Sequence, residues 1–226
     1  MGTNGEAARA SRAGRRLTKK GQLTRERIVA AAATLMLERG VARTTIEDIQ
    51  DAASVSASQL YHYFADKDSL VSAVIEQQAH QVLGFQHLVL DRVESLDDLW
   101  RWRDMAVALL TQRKCVGGCP LGSLAGDLAE ADPIARARLA RAFAEWERIL
   151  RDGLAAMAAA GQFAGHPDTD RLALALLGAT QGGLLLSQIR RDTTPLKTSL
   201  DVMIEHISDQ LTEAARSGVR GPAWSR

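Results

Sequence analysis

The side chains best suited to bind nucleic acid lie close together in the segment S-A-S-Q-L-Y-H-Y-F, residues 56–64. If this segment is helical, Leu60 and Phe64 share one side of the helix, whereas Ser58 and His62 lie almost opposite. Hydroxyl and amide groups can bind base edges in the major groove of DNA, and phenol or lysine groups suit phosphates. The segment therefore fits a helix that presents polar groups to DNA, although a surface helix pair of an ordinary helical domain has the same spacing.

Two short helices joined by a tight turn are needed to position these groups. Thr45 can N-cap the first helix, because its hydroxyl can accept hydrogen bonds from free amides of the first turn. The S-V-S segment, residues 54–56, interrupts that helix, and Ser56 can cap a second helix that begins near Ala57. An upstream amphipathic helix that ends at Gly40 completes a predicted three-helix unit.

Three stretches of this region closely resemble the amino-terminal signature of the tetracycline-repressor (TetR) family of bacterial regulators. They are T-T-I-E-D-I at residues 44–49, V-S-A-S-Q-L-Y-H-Y-F at residues 55–64 and K-D-S-L at residues 67–70. One position departs from the family pattern, because Ser54 stands where the family usually has glycine. A left-handed backbone at that position is somewhat strained for serine, so the turn is the part of the motif to check.

The resemblance implies roles for individual side chains on an operator of double-stranded DNA. Ser58 and Gln59 match positions near bases, whereas Tyr61, Tyr63 and Lys67 match contacts to phosphates. The predicted DNA-binding residues are Thr44, Thr45, Ser56, Ser58, Gln59, Tyr61, His62, Tyr63 and Lys67.

Helical periodicity continues to the end of the chain, and no alternating strand pattern stands out. We therefore predict an all-α fold with an amino-terminal helix-turn-helix domain and a larger helical domain for effector binding and dimerisation. The predicted divisions are a basic disordered arm at residues 1–22, the DNA-binding domain at 23–66, the effector-binding and dimerisation domain at 67–218, and a tail at 219–226.

Charge is distributed unevenly along the chain. The formal net charge is +1, but residues 1–27 hold eight Lys and Arg against two Glu, so the remainder is acidic. A basic end is expected where only that end meets a polyanion. Its first residues are predicted either to follow DNA phosphates or to remain a solvated tail. No long apolar run or signal peptide is visible, so we expect a cytoplasmic protein without a membrane segment.

The segment from Ala173 to Ser187 is rich in small and aliphatic residues. Such a helix is either a central core helix or part of an interface between two chains. The family resemblance favours a homodimer through the last two helices. Two recognition helices would then engage half-sites about 34 Å apart, which predicts an inverted-repeat operator.

The segment R-K-C-V-G-G-C-P-L-G-S-L-A, residues 113–125, is predicted to be a loop because it is rich in glycine and contains proline. Its G-C-P-L-G-S-L-A string resembles one branch of the TetR family, in which this loop lies beside a cavity for small, often aromatic or lipophilic effectors. These side chains are either ordinary core or the lining of such a cavity. The predicted effector-pocket residues are Trp100, Met105, Cys119, Phe143, Trp146 and Gln181.

The two cysteines, Cys115 and Cys119, allow a different hypothesis for the signal. A thiol pair in a flexible loop could form a reversible disulfide or react with electrophiles, particularly if Arg113 or Lys114 lowers a thiol pKa. The alternative is two buried apolar side chains. An enzyme with a cysteine nucleophile is a remote third hypothesis, because no nucleophile elbow, phosphate-binding glycine loop or metal motif is visible. No cofactor or metal is predicted.

Overall fold

The computed structural model describes residues 17–90 and 93–217, which form ten helices and no strand. The helices are α1 (Lys19–Arg39), α2 (Ile46–Ala53), α3 (Ala57–Tyr63), α4 (Lys67–Leu90), α5 (Leu96–Gln112), α6 (Pro120–Leu128), α7 (Pro133–Ala159), α8 (Thr169–Arg190), α9 (Thr194–Asp209) and α10 (Glu213–Ser217). Within the described ranges, extended backbone pairs only in an isolated bridge between Phe163 and Leu211. The predicted all-α fold is confirmed.

The first three helices form the amino-terminal head, in which α1 packs against α2 and α4, and α2 packs against α3. Ile28 of α1, Ile49 of α2 and Leu60 of α3 are completely buried. Burial of one apolar side fixes the orientation of each helix about its own axis, because the polar side must then face outward. The predicted three-helix unit at the amino terminus is therefore confirmed.

Helix α1 begins earlier than the sequence predicted. The Thr18 hydroxyl accepts a hydrogen bond from the Gly21 amide at 3.2 Å, so Thr18 is the N-cap and Lys19 the first helical residue. The prediction of a disordered arm through residue 22 is therefore wrong for its last residues. The rest of the predicted arm, residues 1–16, lies outside the described residues.

The remaining helices form the body, with α4 connecting it to the head. Helix α4 packs against α5, α6 and α7, while α7 packs on α8, α8 on α9, and α9 on α5. Trp102, Leu121 and Leu154 are completely buried between these helices. The body therefore has its own core, which extends to the junction with the head.

Part of the predicted 113–125 loop is helical. The irregular segment ends at Cys119, and α6 begins at Pro120. Proline is favoured at the first position of a helix, where its missing N–H costs no intrahelical hydrogen bond. The Cys119 Sγ accepts from the Gly122 amide at 3.4 Å and so acts as the N-cap. The G-C-P-L-G-S-L-A string thus starts a helix instead of extending a loop.

Helix α8 is the one helix in the described ranges that is long and apolar enough to cross a membrane, with a mean hydropathy of 1.5. One side of it packs against α7 and α9, and Leu176, Thr180 and Gly183 are buried there. That side of α8 belongs to the core of the body, whereas the opposite side is exposed.

Candidate DNA-binding surface and effector cavity

The first helix of the helix-turn-helix is capped by residues within its own first turn. The Asp48 amide donates to Thr45 Oγ1 at 3.1 Å, and the Thr45 amide donates to Asp48 Oδ2 at 3.0 Å. This is the reciprocal capping box. The hydrogen bond from the Thr45 amide is the largest of the effects that lower the pKa of the Asp48 carboxyl. The predicted role of Thr45 as an N-cap is confirmed.

The turn between α2 and α3 contains the left-handed residue that the family pattern predicts. Ser54 has φ 50° and ψ 54°, and its amide donates to the carbonyl oxygens of Asp51 and Gln50. The chain therefore keeps the turn geometry with serine instead of glycine, at a cost in backbone strain of about 1 kcal/mol.

The second capping box places Gln59, the predicted base-reading residue, in two roles. The Gln59 amide donates to Ser56 Oγ at 3.2 Å, and the Ser56 amide donates to Gln59 Oε1 at 3.0 Å. The Gln59 side-chain carbonyl is thus held at the start of α3, which orients its NH₂ group as the part free to donate. The S-x-x-Q spacing is a sequence signal for this box, and our reading of the sequence missed it.

Helix α3 presents its polar side chains outward. Ser58, Gln59 and His62 are exposed, and Tyr61 is 52% exposed, whereas Leu60 is completely buried. Tyr63 is half-buried, and its ring meets the His62 ring edge to face at 5.0 Å between centroids. Helix α3 therefore has an exposed polar face opposite its buried apolar side.

We predicted that Thr44 binds DNA, and the structure corrects this prediction. Its side chain is completely buried, and its hydroxyl donates to the Gly40 carbonyl at 2.9 Å. A buried hydroxyl that already donates to backbone stabilises the turn before α2 and does not reach a phosphate.

Lys67 lies at the start of α4, half-buried, and its ammonium donates to the Val41 carbonyl at 2.8 Å. An ammonium group has three donors, so this bond leaves donors for a phosphate. Lys67 thereby holds the turn after α1 against the connecting helix.

The same turn is bound by the body. The Val41 amide donates to Asp127 Oδ2 on α6 at 2.8 Å. A Cβ at Gly117 would lie 3.1 Å from Leu37 Cδ2 of α1, so the segment before α6 also packs closely on the head. Because Gly118 and Cys119 line the body cavity, one short stretch of chain touches both the cavity and the head.

The cavity lies among α4, α5, α7, α8 and α9 and the start of α6, and has a volume of about 140 Å³. Aromatic and aliphatic side chains provide most of its wall. The lining residues are Gln78, Gln81, Val82, Phe85, Gln86, Trp102, Ala106, Leu109, Leu110, Arg113, Gly118, Cys119, Pro120, Trp146, Thr180, Leu184 and Leu196.

Two of the six predicted pocket residues, Cys119 and Trp146, line this cavity, and the other four do not. On α5, Trp102 lines it instead of Trp100, because residues two apart on a helix point in nearly opposite directions. The Trp100 ring lies against the Arg103 guanidinium, 4.9 Å from centroid to carbon.

The other three predicted residues lie around the cavity wall. Met105 is 37% exposed on the outer side of α5. The Phe143 ring stacks on the Trp146 ring at 6.4 Å between centroids and so supports the wall from behind. The Gln181 amide is one of the smaller influences that lower the pKa of the Cys119 thiol, and its buried Nε2 has no hydrogen-bond partner among the described residues.

The sequence analysis overlooked the glutamines of α4. Gln78 and Gln86 are buried, and Gln86 Oε1 accepts from the Trp102 indole Nε1 at 2.9 Å. A buried amide requires a partner, and here that partner is an aromatic donor on the neighbouring helix. Glutamines on the same helix face as Val82 and Phe85 were the available sequence signal.

Both cysteines are buried, Cys115 to 4% exposure and Cys119 to 8%. Burial raises the pKa of the Cys119 thiol, and the nearby Arg113 charge lowers it by less. Arg113 thus lowers the pKa of the Cys119 thiol as expected, but burial raises it by more, so the net shift is upward. The described part of the chain contains no cluster of three metal-binding side chains.

The outward side of α8 is apolar. Leu174, Leu185, Leu186 and Ile189 are exposed, with Ile189 at 69%. Gly178 and Gly182 lie on the same side, and a Cβ at either position would meet no atom within 4 Å. The residues of this α8 face leave a continuous apolar strip on the surface.

Two family models match the chain. Residues 28–74 match the model described as bacterial regulatory proteins of the tetR family, and residues 95–203 match the tetracyclin repressor-like carboxy-terminal domain. Together they span about two thirds of the chain, and the unmatched residues between them, 75–94, include most of the connecting helix α4.

Whole-length relatives agree with this match. An HTH-type transcriptional regulator of Lactococcus lactis is 29% identical over 184 residues, which cover 80% of this chain and 91% of the relative. The HTH-type transcriptional repressor DhaR of Mycobacterium sp. is 24% identical over 183 residues, 80% of this chain and 90% of its own.

A solved TetR transcriptional regulator from Chloroflexus aurantiacus has the same fold. It superimposes with a TM-score of 0.77 at 29% identity and covers 86% of this chain and 98% of its own. With the capped recognition helix and both halves of the chain matched, this protein belongs to the TetR family of helix-turn-helix, DNA-binding transcriptional regulators.

Proposed function

We propose that this protein is a dimeric repressor that leaves an inverted-repeat operator when a small effector enters the body cavity. The observation that carries this proposal is the outer face of α3, where Ser58, Gln59 and His62 are exposed on a helix fixed by its own capping box and by buried Leu60. A repressor is favoured over an activator because DhaR, similar over most of its length, is named a repressor.

The proposed DNA contacts divide into two classes. Ser58 and the NH₂ group of Gln59 would reach base edges, since both are exposed near the start of α3, the end that enters a major groove in helix-turn-helix proteins. Tyr61, Tyr63 and Lys67 would bind phosphates, which position the head without reading sequence. The capping residues Thr45 and Ser56 would act through the amino ends of their helices, which attract phosphates.

A second copy of the chain is the proposed occupant of the α8 face. Exposed leucines and isoleucine, with Gly178 and Gly182 between them, allow another helix to approach closely and bury the strip. Helix α9 packs along α8 and would complete a four-helix interface. A DNA-bound regulator of this kind is expected to act in the cytoplasm.

The effector would act by changing the position of the head relative to the body. Only a ligand that binds the two states with different affinity can shift their populations, so the DNA-bound form should bind effector more weakly. Two connections from the cavity to the head are available. One is α4, through Lys67 and Val41, and the other is α6, through Asp127 and the same Val41.

Thiol sensing is the second candidate, and the burial of Cys115 and Cys119 argues against it. Thiolate is the reactive form, and burial raises the pKa of Cys119. The arrangement therefore favours a non-covalent effector over oxidation. The regulator families matched by both halves of the chain likewise favour a regulator over an enzyme with a cysteine nucleophile.

The proposal is tested by binding to duplex DNA from upstream of the protein's own gene. Gln59→Ala should reduce affinity for the preferred sequence by about tenfold and affinity for unrelated sequences little, since one good base contact contributes about 1–3 kcal/mol. Lys67→Met should weaken all sequences alike and reduce the salt slope by about one.

Gln22→Ala is the matched control, because Gln22 is exposed on α1 outside the predicted DNA-binding set. No binding to any duplex, or equal loss on all sequences for Gln59→Ala, would contradict the proposed function. Repeating the titration after mild oxidation tests the thiol alternative, since release that a reductant reverses would favour it.

A further inference from the structure

We propose that the body cavity selects a small aromatic monocarboxylate, with the ring among the apolar side chains and the carboxylate at Arg113. This proposal rests on the proposed function, because it names the chemical class of the effector. It follows from the size of the cavity, its charge and the hydrogen-bonding capacity that its polar side chains retain.

The size of the cavity favours a ligand with one aromatic ring. Its volume is about 140 Å³, and an engineered apolar cavity of about 150 Å³ in another protein holds benzene. Phe85, Trp102 and Trp146 contribute three aromatic side chains to the wall. Aromatic walls favour a flat ring, because rings pack well face to face with an offset or edge to face.

The charge of the lining favours an anion. Apart from the Cys119 thiol, Arg113 is its only ionisable side chain, and no carboxylate lines the cavity. Arg113 is exposed at the end of α5, and no described residue forms an ion pair with it. An arginine binds a carboxylate through two parallel hydrogen bonds, whereas a cationic ligand would find no counter-charge here.

The polar side chains of the wall retain donors more than acceptors. Gln86 Oε1 already accepts from the Trp102 indole, so the free part of that amide is its NH₂ group. The Trp146 indole Nε1 is buried and has no hydrogen-bond partner among the described residues. The Thr180 hydroxyl already donates to the Leu176 carbonyl at 2.7 Å, so it is the one of these three groups that can only accept from a ligand. A ligand that carries acceptors, as a carboxylate does, satisfies more of these groups than a donor would.

The test uses three probes that share a ring and nearly the same shape: benzoate, benzamide and benzamidine. They are titrated calorimetrically into the full-length protein at neutral pH, where they carry a negative, zero and positive charge. Benzoate should bind most tightly, benzamide about tenfold more weakly, and benzamidine not measurably.

Variants identify Arg113 as the source of the preference. Arg113→Gln should reduce benzoate affinity to that of benzamide and leave benzamide affinity unchanged, while Arg113→Lys keeps part of the preference because it keeps the charge. Arg141→Gln is the control, since Arg141 is exposed on α7 and does not line the cavity. The melting temperature of each variant shows whether its fold is retained.

Three results would overturn the inference: benzamidine that binds as tightly as benzoate, a benzoate preference that survives Arg113→Gln, or no binding by any probe. DNA binding is recorded for the same preparations without probe. If the wild-type protein binds no duplex DNA, the proposed function is contradicted, whereas the probe affinities still test the preference of the cavity. The two failures are therefore distinguishable.

Discussion

The head and the body of this protein hold their functional side chains in different ways. In the head, the groups that fix α2 and α3 are three residues apart, as in the Thr45–Asp48 and Ser56–Gln59 capping boxes. In the body, the indole that orients the Gln86 amide is 16 residues away, and at the junction the Asp127 carboxylate that binds the Val41 amide of the head is 86 residues away.

This difference determines which features of the head and of the body can vary from one regulator to another. A capping box needs only its own few residues, so the caps of α2 and α3 do not depend on which body is attached to the head. The cavity wall comes from six helices, so a change in any helix packing alters its shape. The head is thus suited to a constant task, and the body to recognition that differs from one regulator to another.

The largest effect is expected where two body helices touch. A Cβ at Gly183 of α8 would lie 2.7 Å from the Leu196 Cα of α9, so backbone must move to admit it. We expect Gly183→Ala to lower the free energy of unfolding by about 1–3 kcal/mol, as overpacking does. Denaturant titration of the purified variant measures this.

The matched control for that change is Gly84→Ala on α4, where an added Cβ meets no atom within 4 Å. Alanine is the better helix former, so this change should raise stability by up to about 1 kcal/mol. If both substitutions changed stability equally, the close contact between α8 and α9 would not depend on glycine at position 183. The claim that the body depends on contacts between distant helices would then be weaker.

A smaller effect is expected at the junction between the two regions. Asp127→Ala removes the acceptor for the Val41 amide, and one such hydrogen bond contributes about 1 kcal/mol. Hydrogen exchange at the Val41 amide should accelerate about fivefold, with little change at Ile28 in the core of the head.

Asp127→Asn keeps a carbonyl acceptor at the same position and is expected to protect the Val41 amide nearly as well. Equal exchange in the wild-type, alanine and asparagine proteins would mean that the body does not hold the turn after α1. The coupling path through α6 would then be excluded, and α4 would remain.

The smallest effect is expected within the head. Hydrogen bonds from Thr45 lower the pKa of Asp48, so the stability that its ionised form contributes is present above its unfolded pKa of about 4. It is lost as pH falls through the lower folded pKa. Asp48→Asn should remove this part of the acid dependence below about pH 4 and slightly reduce stability at pH 7.

Thermal unfolding of wild type and Asp48→Asn across that acid range measures the difference. Parallel curves at every pH would show that the carboxyl titrates alike in the folded and unfolded chains, and that the capping box does not depend on its charge. Local hydrogen bonds would then contribute less to the stability of the head than its geometry indicates.

Most of the geometry of the candidate DNA-binding surface was predictable from sequence, because its determinants are local. Apolar spacing identified which sides of α1, α2 and α3 are buried, and Thr45, Ser54 and Ser56 marked the caps and the turn. The exception was Thr44, whose hydroxyl turns inward to the Gly40 carbonyl. Composition cannot distinguish an exposed threonine from one that closes a turn.

The cavity was predictable only in part. Hydrophobicity identified residues that are buried on folding. It could not distinguish Trp102, which lines the cavity, from Trp100, which lies against Arg103. The sequence analysis did not predict the start of α6, for a related reason. Glycine and proline between Gly117 and Gly122 suggested a loop, while Pro120 in fact occupies the favourable first position of a helix.

The sequence by itself determined the all-α class, the helix-turn-helix and the family, because helical period, capping residues and turn residues act over a few positions. Tertiary structure decided which side chains surround the cavity, that Asp127 reaches the head, and that both thiols are buried. Those outcomes depend on the rotation and spacing of helices far apart in the chain, and packing of the whole core sets both.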